Sequence, residues 1–458
     1  MCGIVGVYNH PQAATLAANA MFAEQHRGQE SCGIAVSNGK FIRLRKKMGL
    51  VRSVFPPEKL EKLEGHIAIG HVRYPTRGSS TEFNSQPHVV ETLAGPCYCL
   101  ASNGDIVNYK EIKFSLEENG VFFKSSNDGE LILKYIAYKT EKENLSIIDA
   151  IKSCMRDIKG SYSTVLATRT ELYCFRDPYG FRPMSYGKTE DGCFVVASET
   201  CALDIINAKY ERAINPGEII LINENGVKIW ENNPLDYRHT EHPQHCIFEH
   251  IYFSRPDSYQ FEEDVYLVRE SIGRKLAELD DGFTPDLVVP VPDSSNFMAS
   301  GYANYKKMPV TFGLIRNHYV GRTFIKTEPS TRTESAKNKY NVLPHIFEGK
   351  SVVLIDDSIV RGTTIKKIVD LIYNSGAKEV HLRIGSPQVK YPCYFGIDTP
   401  DCNELLSNRM SIPEIVNEYK LASLKHLTLD CLGGCVRKPK HYCYACFSGK
   451  YPIECISN

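Results

Sequence analysis

"VVLIDDSIVRGTT", residues 352–364, decides the fold of the second half of this chain. Its first four residues are apolar and read as a strand. Two acids stand at the strand's carboxyl end, and Ser358 to Thr364 form a short loop opening the helical pattern "TTIKKIVDLIYNSGA". A strand that is apolar throughout is covered on both faces, as in a parallel sheet, and such sheets bind ligands at the carboxyl ends of their strands. Loop N–H groups, hydroxyls and a helix N-terminus together suit a phosphate dianion. No Gly-Lys-Ser/Thr follows, which excludes a Walker A loop, and G-x-G-x-x-G is missing, which excludes the dinucleotide fingerprint. Asp356 and Asp357 would repel a phosphate unless they hold hydroxyls or a divalent cation, so a sugar phosphate with Mg²⁺ fits the chemistry.

The flanking segments repeat the same alternation. An amphipathic helix over 265–279, the strand "DLVVPVPD", the helix "SNFMASGYANY", a strand near "VTFGLIR" and the strand "EVHLRIG" predict a doubly wound α/β domain with a parallel sheet. A polar stretch without periodicity, about 318 to 345, interrupts it. Residues 1 to about 230 differ. Short alternating runs such as "GHIAIGHVRY", "CYCLASNGDI", "GSYSTVLAT" and "GEIILINENGVKIW" predict antiparallel sheets, with helical patterns near 11–25, 109–118 and 129–138. That is an α+β domain. "ENNPLDYRHTEHPQH" lacks periodicity, which places the boundary between domains 1–235 and 236–458 there.

Composition narrows the function classes. The chain has 458 residues, 42% hydrophobic, too many for one ordinary core. Fifty-four basic residues balance fifty-four acidic ones, so no bulk field attracts nucleic acid or an anionic membrane. No apolar run approaches a membrane span, and no secretion signal follows Met1, so a cytoplasmic protein is expected. Of 16 cysteines, Cys32, Cys97, Cys99, Cys154, Cys174, Cys193 and Cys201 stand singly in apolar surroundings and read as small buried hydrophobes.

Residues 352–364 resemble the signature of type I phosphoribosyltransferases, which bind 5-phosphoribosyl 1-diphosphate. The resemblance implies that Asp356 and Asp357 hold the ribose hydroxyls and Mg²⁺. Ser358, Val360, Arg361, Gly362, Thr363 and Thr364 would cradle the 5-phosphate. "PVPDSS", 290–295, resembles the family's pyrophosphate-side loop, implying Ser294 as a further Mg²⁺ ligand with Asp293 beside it. "RNHYVGRTFIKTEPSTRTESAKNKYN", 316–341, resembles its flexible basic lid.

"MCGIVGV" at the start of the chain poses a second question. Cysteine is small enough for Met1 to be removed, and no long propeptide precedes it. Cys2 would then carry a free α-amine, with an unperturbed pKa of about 7.7–8, as base to its own thiol. With "QHRGQES", "HVRYPT", "SNGDIVN", "SNDGELI" and "RDPYGFRPM" in order, the N-terminal half resembles the class II glutamine amidotransferases with an N-terminal nucleophile. The resemblance implies a four-layer αββα fold, Cys2 as nucleophile, and Arg73 on the glutamine α-carboxylate. It further implies Asp128 on the glutamine amino group, and Asn103 with Gly104 as the oxyanion hole. Ser102, Pro75 and Asp105 depart from the family pattern, where histidine, serine and an amide are usual.

Both halves in this order resemble the amidophosphoribosyltransferase family, including "CIFEHIYFSRPDS" at 246–258 and "KYPCYFGIDTP" at 390–400. The implied reaction transfers glutamine nitrogen to phosphoribosyl diphosphate. It yields 5-phosphoribosylamine, glutamate and pyrophosphate at the entry to purine synthesis. Purine nucleotides as feedback inhibitors and a homo-oligomer, dimer or tetramer, come with it. "HYCYACFSGKYP" carries a C-x-x-C that alone suits a redox dithiol, half a zinc site or chance. In the cluster-bearing form of the family, Cys246, Cys393, Cys443 and Cys446 match the ligands of a [4Fe–4S] cluster, with zinc as the alternative. Cys431 and Cys435 in "DCLGGC" read as core, with stand-in ligands as the alternative. Two rival readings are a relative that aminates another phosphosugar and a nucleotide sensor without catalysis.

Overall fold

The computed structural model describes residues 1–75, 78–92, 95–231, 242–317, 340–399 and 401–454. The first half stacks two antiparallel sheets between helices. One sheet has seven strands, with Gly3–Tyr8 between Phe194–Ala197 and Ile67–Arg73; the other has six, with Gly95–Ile106 between His88–Thr92 and Gly160–Ala167. The period of two sorts each strand's side chains into two cores. Val5 and Val7 pack with the helix Ala13–Ala23, whereas Ile4 and Tyr8 face Cys99, Ala101 and Val165 between the sheets. Leu100 and Leu166 turn outward onto the helices Asp128–Glu141 and Ile147–Asp157. The order is helix, sheet, sheet, helix, the four layers expected.

The second half carries a four-stranded parallel sheet in the order Leu287–Pro290, Ser351–Asp356, Glu379–Ile384, Ser423–His426. Helices Val265–Glu278 and Asn296–Lys306 cover one face, burying Ile272, Leu276 and Tyr302 with Val288 and Val353. Thr363–Asn374 covers the other with Ile365, Ile368 and Val369 against Leu354 and Leu382. The strand expected near "VTFGLIR" does not join this sheet. Val310 bridges Val288, the chain turns as Gly313 N–H meets the Thr311 carbonyl at 3.0 Å, and Leu314–Arg316 then pairs antiparallel with Tyr340–Val342. Ser423–His426 was not expected, because "SLKH" presents no apolar run.

The boundary expected at 235/236 and most of the expected lid, 318–339, lie outside the described residues. No described helix is long and apolar enough to cross a membrane. Every described cysteine is a free thiol, and of the seven single ones all but the half-buried Cys97 are buried.

Candidate functional site

Cys2 leads into the strand Gly3–Tyr8, whose Gly3 pairs with Val72, so Cys2 sits level with Arg73 and Tyr74. The Cys2 N–H donates to Asn103 Oδ1 at 3.0 Å, and Cys2 Sγ lies 3.5 Å from the Tyr74 carbonyl oxygen. Asn103 is buried near the end of Gly95–Ile106. With Oδ1 taken by Cys2, its Nδ2 is enclosed and has no hydrogen-bond partner among the described residues. Leaving a buried donor unsatisfied costs about 1–3 kcal/mol, and an oxygen brought to this N–H would relieve that cost. At Gly104 a Cβ would stand 1.8 Å from the Ser161 carbonyl oxygen; only glycine lets the two strands approach there.

Arg73 closes the strand Ile67–Arg73 and is buried. Its Nη1 donates to Glu30 Oε2 at 2.6 Å and to the Ser79 carbonyl at 3.3 Å, and Nη2 donates to the Gly78 carbonyl at 3.3 Å. The guanidinium expected to meet a substrate carboxylate is thus already oriented by an internal one. Asp128 begins the helix Asp128–Glu141, where Asn127 caps by accepting the Gly129 N–H at 2.9 Å. Its Oδ2 accepts the Ile106 N–H at 3.3 Å, which ties it to the strand that bears Asn103. Cys2, Arg73, Asn103, Gly104 and Asp128 therefore gather on neighbouring strand ends and one helix start.

Two residues that no sequence motif singles out, buried Arg27 and half-buried Tyr74, touch Cys2. Arg27, inside "QHRGQES", donates from Nε to the Cys2 carbonyl at 2.9 Å. Tyr74 offers its carbonyl to Cys2 and also lines a cavity of the second half. The three departures from pattern are accommodated. Ser102 is buried with its Oγ 2.9 Å from Thr164 Oγ1, and the Asp105 N–H donates to Ser161 Oγ at 3.1 Å. Pro75 follows Tyr74, half-buried.

The cavity of the second half, about 210 Å³, opens at the carboxyl ends of the parallel strands. It is lined by Ser294, Asp356, Asp357, Ser358, Val360, Arg361, Gly362, Thr363 and Thr364, every residue the loop resemblance implied. Asp357 accepts hydroxyls from Ser294 and Ser358, each at 2.6 Å, and Asp356 accepts the Ser295 hydroxyl at 3.3 Å and the Asp357 N–H at 2.9 Å. Burial raises the Asp357 carboxyl above its ordinary value, against the pull of those hydroxyls and the nearby Arg269. An enclosed carboxylate with hydroxyls converging on it suits a cation or ribose hydroxyls. Gly362 makes the turn into Thr363–Asn374 at φ +80°, and a Cβ there would meet Tyr419 Oη at 2.4 Å. Asp293 pairs with Arg316 at 2.7 Å, and Tyr340 also lines the cavity.

A third feature joins the halves. Cys246 and Cys443 stand opposite each other on a short parallel ladder. With Cys393 and Cys446 they line one small cavity of about 20 Å³; Cys431 and Cys435 do not. Burial pushes the Cys246 thiol up to about 11, partly opposed by Arg182, and raises Cys443 and Cys446 further, assisted by the neighbouring sulfurs. Among the described residues no three His, Cys, Asp or Glu side chains converge on a single metal ion. In a [4Fe–4S] cluster each thiolate binds a different iron, so the sulfurs ring a volume rather than meet at a point. Four thiols around one cavity fit that donor set. Cys435 is buried in the core of the second half, its Sγ 3.2 Å from the Cys431 carbonyl, in keeping with its reading as core.

A glutamine amidotransferase domain model matches residues 76–204, and a phosphoribosyl transferase domain model matches residues 265–384. The chain is 46% identical over 456 residues to amidophosphoribosyltransferase 1, chloroplastic, of Arabidopsis thaliana, covering 99% of this chain and 79% of that one. It is 42% identical over 461 residues to amidophosphoribosyltransferase of Methanothermobacter thermautotrophicus, covering 100% and 95%. The chain belongs to the amidophosphoribosyltransferase family. Its fold superposes on glutamine phosphoribosylpyrophosphate amidotransferase from B. subtilis, solved with ADP and GMP, with a TM-score of 0.90 at 38% identity, covering 100% of this chain and 98% of that one. In amidophosphoribosyltransferase terms, the Cys2 cluster lies in the amidotransferase half and the loop cavity in the phosphoribosyltransferase half, and Tyr74 touches both.

Proposed function

We propose that this protein converts phosphoribosyl diphosphate and glutamine to 5-phosphoribosylamine, pyrophosphate and glutamate, the first committed step of purine biosynthesis. The observation that carries the proposal is Tyr74, whose carbonyl faces the Cys2 thiol and which also lines the loop cavity of the other half. After loss of Met1, the Cys2 thiolate attacks the glutamine side-chain amide. Asn103 Nδ2 and the Gly104 N–H receive the oxyanion, while Arg73 and Asp128 orient the amino acid. The tetrahedral adduct then breaks its C–N bond, releasing ammonia and leaving a glutamyl thioester that water hydrolyses to glutamate and free Cys2. Inside the protein ammonia escapes the protonation it would meet in bulk water, passes Tyr74 and displaces pyrophosphate at C1 with inversion.

Asp356, Asp357 and Ser294 would hold Mg²⁺, which supplies charge neutralisation for the pyrophosphate. Residues 358–364 bind the 5-phosphate. Cys246, Cys393, Cys443 and Cys446 would hold a [4Fe–4S] cluster that ties three remote segments together, which iron and sulfide content tests; zinc, the alternative, would need the thiols to converge on one point, and among the described residues they do not. Purine nucleotides as inhibitors find support in the B. subtilis relative solved with ADP and GMP. We retain a homo-oligomer as part of the reading, to be measured by light scattering, and domains divided near residue 235.

The deciding experiment follows glutamate and pyrophosphate together, anaerobically, with glutamine and Mg²⁺, with and without phosphoribosyl diphosphate. Donor-stimulated glutamate release matched one for one by pyrophosphate is expected. Glutamate without pyrophosphate would send the second half to another acceptor.

A further inference from the structure

We infer that Glu249, supplied by the phosphoribosyl half, is a positioning residue for the nucleophile of the amidotransferase half; the inference rests on the role given to Cys2 above. Arg27 is fully buried, and its Nε holds the Cys2 carbonyl at 2.9 Å. Its other edge is gripped by two carboxylates. Glu249 Oε1 and Oε2 accept from Nη2 and Nη1 at 2.8 and 3.0 Å, and Glu199 Oε1 accepts from Nη1 at 2.5 Å. Glu199 belongs to the first half, while Glu249 begins the helical turn Glu249–Phe253 of the second. A guanidinium is a rigid plane, so a bidentate grip on one edge fixes where the other edge points. The place of Glu249 therefore sets the place of the Cys2 backbone.

The same carboxylate reaches the oxyanion side. Arg182 Nη1 lies 3.6 Å from Glu249 Oε1, and Arg182 Nε donates to the Phe395 carbonyl at 2.8 Å. Ser161 Oγ donates to that carbonyl too, at 2.8 Å, and a Cβ on Gly396 would stand 3.2 Å from the Gly104 carbonyl carbon. One buried side chain of the second half thus touches, through two arginines, the backbone of the nucleophile and the wall behind the oxyanion strand. Ser254 Oγ steadies it by donating to Oε2 at 2.8 Å. Phe248, Tyr252 and Phe253, on the same turn, line the phosphoribosyl cavity, so the turn that holds Cys2 also faces the donor site. The arrangement makes the amidotransferase site incomplete without the second half.

The test compares full-length, Met1-processed wild type with Glu249→Gln and Ser254→Ala, using glutamine or ammonium chloride as nitrogen source and following pyrophosphate. A diazoketone analogue of glutamine adds the rate of Cys2 alkylation. Misplacement of a reacting group by about an ångström costs up to about 100-fold. Glu249→Gln is expected to lower glutamine-dependent kcat about tenfold or more and to slow alkylation in proportion. Its KM for glutamine should stay within about threefold and ammonia-dependent turnover within about twofold. Ser254→Ala should move the same ratio by a smaller factor, and it decides the matter alone if Glu249→Gln does not fold. Equal loss from both nitrogen sources, or unchanged alkylation, overturns the inference. Wild type that fails to release glutamate from glutamine defeats the reading of Cys2 itself, and the inference with it.

Discussion

The two candidate sites solve opposite problems with different parts of the fold. The Cys2 site lies where antiparallel strands end between two cores, and its groups are anchored side chain by side chain. Asn103 holds Cys2, Glu30 holds Arg73, and Ile106 N–H holds Asp128. The loop site sits at the mouth of a parallel sheet and consists of backbone, hydroxyls and two acids around about 210 Å³. A nucleophile must meet one atom at one angle, so it is served by rigid buried partners. A phosphorylated sugar is held by many dispersed N–H and O–H groups, so a short loop and a helix start suffice. The difference teaches where each site is vulnerable: the first to loss of a partner, the second to loss of loop geometry.

Separate sites demand separable activities, and Cys2→Ala is the hardest blow to that comparison. Glutamine-dependent turnover should fall by a factor on the order of 1,000 or more, while ammonia-dependent pyrophosphate release stays within about twofold. Loss of both in folded protein would merge the two sites into one. Asp357→Asn should instead depress both nitrogen sources about 100-fold, or about 2.7 kcal/mol of barrier, read as kcat/KM for the phosphoribosyl donor. Gly362→Ala sharpens the claim about loop geometry. With φ at +80° and Tyr419 Oη 2.4 Å from the new Cβ, the KM for the donor should rise about tenfold. Glutaminase activity in the absence of donor should be unchanged.

The smallest effect concerns stability. Burial alone would raise the Glu199 carboxyl, but His26 and Arg27 hold it well below the usual carboxylate range. Glu24, Cys201 and Arg255 face the same pocket. A depressed folded pKa stabilises the protein fully above the unfolded value of about 4.3, and that stability is lost progressively as pH falls from there toward the folded value. The unfolding free energy of wild type, from urea titrations, should therefore fall more steeply from pH 5 to pH 3 than that of Glu199→Gln, by on the order of 2 kcal/mol. Parallel slopes would remove Glu199 from the charged network.

Local chemistry was legible in the sequence. The apolar run 352–355 followed by Asp356 and Asp357 encodes a buried strand with a ligand at its end, because burial on two faces leaves no room for polar alternation. The helix expected over 109–118 spans Tyr109–Glu118 as read, since its period depends only on neighbours three and four residues away. The seven single cysteines read as apolar filling, and most of them are buried. Residues whose meaning depends on distant partners were not legible. Glu249 sits in a stretch that the sequence marks only as a joint, and its two arginines come from positions 27 and 182. Tyr74 looks like the end of a strand until the other half folds against it. "SLKH" becomes a strand only because Glu379–Ile384 offers an unpaired edge. The sequence by itself determined most of the strands, the loop from Ser358 to Thr364 and the place of Cys2 at the head of the first strand, because each rests on a short-range pattern of polarity and conformation. Only the tertiary structure decided which charges meet, because a buried ion pair is specified by packing between segments that no local pattern connects.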